Sequence, residues 1–232
     1  MKNVFVTTEN VKNFIGAMKD GEKACGEPTM LVFHGQAGRG KTSTARYYAA
    51  QEGWTYVRAL QGWTELWMLQ NLCFELKIDP IPKRKKASFE AIGARLFAEP
   101  RPVMVDEADK LSGTLLEWIR DLADTTVVPF ALIGEKLVMH KMQRERRIWS
   151  RTLKCVEFGP ITAKDTLYFA KQAADMALTA QQADTIRQAS DGDFRLVSRT
   201  VRYLENLAEV NRAERVTDEM VGVAIKQGLR GA

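Results

Sequence analysis

The chain has 232 residues, of which 45% are hydrophobic and 27% charged, so it is neither a disordered nor a fibrous polymer. It carries 34 Lys and Arg against 29 Asp and Glu, and a net charge of +5 allows a nucleic-acid partner without requiring one. No apolar run approaches the ~20 residues that cross a bilayer, and the opening MKNVFVTTEN lacks the apolar centre of a secretory leader; the expectation is a cytoplasmic protein with no membrane partner. Cys25, Cys73 and Cys155 form no CxxC pair, and His34 and His140 stand apart, which points to reduced, mostly buried thiols rather than disulfides or a zinc site.

In chain order, a helix is expected around 8–24, with Val11, Phe14, Ile15 and Met18 on one face. The short apolar run TMLVFHG (29–35) reads as a strand, and TSTARYYAAQ (42–51) as a helix. Between them lies GQAGRGKT (35–42), a G-x-x-x-x-G-K-[ST] loop in the strand–loop–helix setting that the motif requires. Its glycines let successive backbone N–H groups point into one concavity, and the following helix adds free N–H groups and the positive end of its dipole. Lys41 is placed to reach the β- and γ-phosphates of a bound nucleotide, and the Thr42 hydroxyl to ligate Mg²⁺. The wall of the site is expected to comprise Gly35, Gln36, Ala37, Gly38, Arg39, Gly40, Lys41, Thr42 and Ser43.

WTYVRAL (54–60) is the next strand candidate, followed by helical stretches at 64–77 and 88–99. Trp63 and Trp67 are read as packing residues. The loop between these helices carries Lys83, Arg84, Lys85 and Lys86, a run suited to phosphate contacts. RPVMVDEADKL (101–111) is a third strand ending in Asp106 and Glu107, where open α/β sheets bind ligands. Asp106 is assigned to the magnesium and Glu107 to the water that attacks the γ-phosphate. Helix 111–124, strand VVPFALIG (127–134), helix 135–148 and strand LKCVEFG (153–159) complete a mostly parallel five-stranded sheet covered on both faces, a three-layer αβα core. The basic stretch 141–154, which includes Lys141, is read as a subunit interface rather than a DNA surface. After Gly159-Pro160 no strand is visible. Thr162-x-x-Asp165 and Thr179-x-x-Gln182 look like helix starts, and 193–210 and 217–229 like further helices. The expected division is a nucleotide-binding core at 1–160 and a small all-helical lid at 161–232.

Such a core, with this loop, an adjacent Asp-Glu pair and a C-terminal helical lid, resembles the AAA+ ATPases over nearly the whole chain. Within them, GQAGRGKT, VMVDEAD, LIGEKL, SRTLKCVEFGPIT and GDFR are most similar to the transposition-regulator type, that of the phage Mu B protein and TnsC. The resemblance implies ATP and Mg²⁺ as ligands, with slow hydrolysis stimulated by DNA or a partner. It makes Arg195 of GDFR the sensor 2 arginine that touches the γ-phosphate of its own subunit. Arg151, or as runner-up Arg147, becomes the arginine finger that reaches a neighbour's nucleotide. It implies a homo-oligomer, ring or helical filament, on duplex DNA with little sequence preference, delivering target DNA to a transposase. Alternatives are a helicase loader or replication-initiator-like ATPase, and a P-loop small-molecule kinase. One departure stands out: where the family carries a polar sensor 1 residue, the fourth strand ends Gly134-Glu135, and a carboxylate repels a γ-phosphate. With about 28 residues before the first strand, the extra N-terminal DNA-binding segment of some relatives is not expected here.

Overall fold

The computed structural model describes residues 1–2, 4–24 and 26–229. Its elements, in order, are α1 (Glu9–Lys23), β1 (Met30–His34), α2 (Lys41–Glu52), β2 (Thr55–Arg58), α3 (Glu65–Glu75), α4 (Lys85–Ala98), β3 (Val103–Asp106), α5 (Gly113–Thr126), β4 (Phe130–Gly134), α6 (Lys136–Arg144), α7 (Arg146–Trp149), β5 (Thr152–Glu157), α8 (Ala163–Ala174), α9 (Ala180–Ala189), α10 (Phe194–Val210) and α11 (Asp218–Gly228). A 3₁₀ turn, Ala108–Lys110, follows β3. None of the described helices is long and apolar enough to cross a membrane.

The chain divides into two compact units. One, the sheet unit, comprises Asn13–Gln36 and Lys41–Phe158; the other, the helical unit, comprises Met1–Lys12, Ala37–Gly40 and Gly159–Ala232. The helical unit therefore includes the tip of the glycine loop as well as the chain after Gly159.

In the sheet unit five parallel strands lie in the order β2-β3-β4-β1-β5. The three central strands are buried along their whole length, which explains why they read as unbroken apolar runs. Alternation along each strand sends side chains to two cores. Met30, Val32, Val103, Val105, Phe130 and Leu132 join Leu69, Leu72, Ile92, Leu116 and Ile119 on one face. Leu31, Phe33, Met104, Ala131 and Ile133 join Phe14, Met18 and Ala45 on the other. The register pairs His34 with Gly134 and Val105 with Leu132, so β1, β3 and β4 finish at one edge. The glycine loop, Asp106-Glu107 and Glu135 all follow directly from that edge.

In the helical unit Ile161, Phe169, Ala173, Ile186, Val197, Val201, Leu204 and Val221 form a separate core, into which Val6 also packs. Thr162 with Asp165, and Thr179 with Gln182, each close a capping box in which side chain and backbone bond reciprocally.

Four expectations change. The helix expected at 135–148 breaks at Glu145, which adopts extended backbone (φ −102°, ψ 91°). Met142 and Ile148 are six residues apart, so one continuous helix would turn them to different faces; the break lets both enter the same core. Helix α4 starts at Lys85 rather than 88, because Arg84 supplies an extended N-cap and Ser88 is buried within the first turn. Cys155 is exposed on the edge strand β5, whereas Cys73 is buried; Cys25 lies outside the described residues. Trp63 is buried, but Trp67 points outward from α3 and is exposed, because Met68, Leu69 and Leu72 take the core side of that helix.

Candidate nucleotide site

The glycine loop runs from the end of β1 into the first turn of α2. Gly38 and Gly40 hold φ of +77° and +90°, conformations that L side chains rarely adopt. Lys41 opens α2. Its ammonium donates to the carbonyl oxygens of Gly35 at 2.7 Å and Gln36 at 2.8 Å, so the side chain is folded back over its own loop. Burial lowers its pKa, and the fields of Glu135, Asp106, Asp109 and Glu107 oppose that shift. The same edge thus carries a buried cation and carboxylates whose field it feels. Thr42 is half-buried and Ser43 exposed in the next two positions.

The two acids after β3 are held by β2. Tyr56 and Arg58, two residues apart, point to the same side of their strand. The Tyr56 hydroxyl donates to Asp106 Oδ2 at 2.8 Å, and the Glu107 backbone N–H donates to Asp106 Oδ1 at 2.9 Å. Burial, reinforced by the Asp106 charge and the hydrogen bond to it, pushes the Tyr56 pKa well above its ordinary value, so the hydroxyl remains a donor. Arg58 Nη2 lies 3.1 Å and Lys110 Nζ 3.3 Å from the Glu107 carboxylate. Burial alone would raise the Glu107 pKa, but Lys110 and Arg58 outweigh it and hold the carboxylate below its usual range. Glu107 also sits at φ 57°, ψ 34°, a left-handed conformation for a residue with a side chain, of the strained kind that clusters at functional sites. The hydroxyl of Thr42 and the carboxylate of Asp106 are hard oxygen donors. Each Asp106 oxygen keeps a lone pair beyond the hydrogen bond it accepts, so the donor set fits Mg²⁺.

Asp109 anchors the next turn. Its Oδ1 accepts the Glu135 N–H at 3.1 Å, and a Cβ on Gly134 would come within 2.5 Å of the same oxygen. Gly134 is thus required by close approach. Glu135 is exposed at the start of α6.

The loop tip belongs to the helical unit and is gripped by the GDFR stretch. The Arg39 guanidinium, only 6% exposed, donates to the Asp191 backbone oxygen and to Asp191 Oδ2 at 3.0 Å. The Phe194 N–H donates to the Gly38 oxygen at 2.9 Å. Asp193 caps α10 through the N–H groups of Arg195 and Leu196, and a Cβ on Gly38 would lie 1.9 Å from its Oδ2. Arg195 is exposed in the first turn of α10. None of these contacts is announced by the glycine pattern; the signal available was only an arginine inside the loop and two aspartates flanking a glycine.

The other assigned residues lie apart. Arg151 forms an ion pair with Asp124 and donates to the Arg147 carbonyl oxygen at 2.7 Å. Arg147 is exposed on α7, and its guanidinium makes no ion pair among the described residues. Lys141 does not join a basic surface: its ammonium donates to the Asp109 and Leu111 carbonyl oxygens, at 2.5 and 2.7 Å, and braces α6 against the turn after β3. Lys83 and Arg84 are exposed before α4, while Lys85 and Lys86 occupy its first turn and pair with Glu65 at 3.2 Å and Glu90 at 3.7 Å.

A glycine loop between strand and helix, an Asp-Glu pair on the neighbouring strand but one, and a helical unit define the class: a P-loop nucleotide-binding protein. The family model described as "AAA domain" matches residues 25–142, and the chain belongs to the AAA family of P-loop, ATP-binding domains. It is similar to the ATP-dependent target DNA activator B of Escherichia phage Mu, 25% identical over 235 residues, covering 96% of this chain and 73% of that one. The resemblance to the transposition-regulator type is borne out by that relative. Among solved structures, the Aeropyrum pernix ORC2 protein in its ADPNP–ADP complexes superposes with a TM-score of 0.72 at 15% identity, over 98% of this chain and 70% of that one. The Thermotoga maritima RuvB Holliday junction branch migration motor does so at 0.59 and 22%, over 96% and 70%. Both show the shared fold.

Proposed function

We propose that the chain is an ATP-dependent, DNA-binding ATPase that assembles on duplex DNA and delivers a target to a transposase. The observation that carries the reading is the strand-end edge, where a P-loop with Lys41 and the Asp106-Glu107 pair stand at the ends of β1 and β3 in one sheet, in a chain similar to a phage target DNA activator.

On ATP binding, Lys41 leaves the Gly35 and Gln36 carbonyl oxygens and turns to the β- and γ-phosphates. Thr42 and Asp106 would hold Mg²⁺, which would supply neutralising charge at the phosphate oxygens. Glu107 exchanges Arg58 for a water and orients it for attack on the γ-phosphate. Arg195 contacts that phosphate in cis. For the contact in trans, Arg147 is the better placed candidate: Arg151 is occupied by Asp124, and Arg147 is exposed. An arginine delivered across an interface has been worth ~10³–10⁵ in other NTPases. The γ-phosphate then couples the joining of subunits to its own hydrolysis. Lys83, Arg84, Lys85 and Lys86 serve as sequence-independent phosphate contacts. Glu135, in place of a neutral polar group, opposes the γ-phosphate charge and keeps turnover slow.

The test combines size-exclusion chromatography with phosphate release, with and without ATP, Mg²⁺ and duplex DNA of unrelated sequences. Assembly that needs both ATP and DNA, and turnover raised by DNA, are expected. A protein that stays monomeric and ignores DNA with ATP bound would refute the reading.

A further inference from the structure

We infer that Tyr56 is a positioning residue for the divalent cation at Asp106, a deepening of the nucleotide-site reading above. Asp106 is 1% exposed, so its carboxylate has little water to orient it. Its two oxygens are fixed from opposite sides: Oδ1 accepts the Glu107 N–H at 2.9 Å and Oδ2 the Tyr56 hydroxyl at 2.8 Å. The first bond comes from the adjacent peptide and moves with it. The second comes from another strand, and it ties the carboxylate plane to the sheet.

The register makes this possible. Tyr56 pairs with Met104 and Arg58 with Asp106, so Tyr56 stands two residues behind the acid, on the same face, and its long side chain reaches forward to it. A Phe at 56 would preserve the ring that packs on the Phe14–Phe33 core, but would leave one buried oxygen of Asp106 without its donor. The carboxylate would then be free to rotate, and its remaining lone pairs would no longer point to one place. Partners that orient a metal-binding carboxylate in this way are typically worth about 10–100-fold in metal affinity. Lys41, the proposed phosphate ligand, is held instead by the Gly35 and Gln36 carbonyl oxygens.

The inference separates metal binding from nucleotide binding. In full-length protein, binding of a fluorescent ATP analogue is titrated with Mg²⁺, and measured again with EDTA in place of Mg²⁺. Tyr56→Phe is expected to raise the half-saturating Mg²⁺ concentration about 10-fold or more and to leave binding in EDTA at the wild-type level. An unchanged Mg²⁺ midpoint would overturn the inference, and so would a loss of EDTA-resistant binding, which would make Tyr56 structural. A wild type that binds the analogue but is indifferent to Mg²⁺ would overturn it while sparing the nucleotide site. A wild type that binds no analogue at all would instead sink the underlying reading.

Discussion

At the scale of single residues, the site is a set of charges held back from their work. Glu107 is engaged by Arg58 and Lys110, which lower its pKa and weaken it as a base. Replacing Glu107 by Gln should leave nucleotide affinity intact and lower turnover at least ~10²-fold, the usual worth of a positioned base; phosphate release beside binding titrations measures both. Arg58→Ala should do the reverse and raise turnover in the absence of DNA, and a basal rate equal to the wild type would show that the ion pair restrains nothing. His34 provides a pH signature. It is buried at the end of β1, with no hydrogen-bond partner for Nδ1 among the described residues. Burial lowers its pKa, against the opposing field of Glu157 and with help from Lys136, Lys41 and His140. The unfolded chain therefore takes the proton first, so stability should fall as pH drops below about 6.5, the ordinary histidine value. Urea unfolding between pH 7 and 5 should show this drop, and His34→Asn should flatten it.

At the scale of elements, the sequence was most informative where local chemistry decides. The two Thr-initiated capping boxes are bonded as the spacing implied. Thr162→Ala should cost about 1 kcal/mol, seen as faster amide exchange confined to the helical unit, and an unaltered exchange pattern would contradict that role. All five strands were legible, β1, β3 and β4 because burial on both faces leaves an unbroken apolar run bounded by turn residues, and the part-exposed outer strands β2 and β5 by their place in the strand–helix alternation. What could not be read were choices made by distant partners. Glu145 breaks a helix so that Met142 and Ile148 meet one core. Lys141 looks like any surface lysine until Asp109 and Leu111 place their carbonyl oxygens beside it. Asp106 and Glu107 were visible as a pair, but Tyr56 and Arg58 were not, since strand pairing alone brings them together.

At the scale of the whole molecule, the proposed contact with duplex DNA is the exposed run at 83–86. Replacing Lys83, Arg84, Lys85 and Lys86 together by Ala should weaken binding to all sequences alike. It should also flatten the plot of log K against log salt by up to about 3–4, at ~0.9 for each phosphate no longer neutralised. Filter binding across a salt series decides this, and an unchanged slope would remove these residues from the DNA surface. Another consequence concerns manufacture. The helical unit is assembled from residues 1–12, 37–40 and the chain beyond Gly159. During synthesis Val4 and Val6 must wait for Phe169, Ile186 and Val201, their eventual neighbours, until the whole of the sheet unit has been made. Nascent chains stalled at the end of the sheet unit should thus bind chaperones through the segment of Val4 and Val6, and release them only once α8–α10 have emerged.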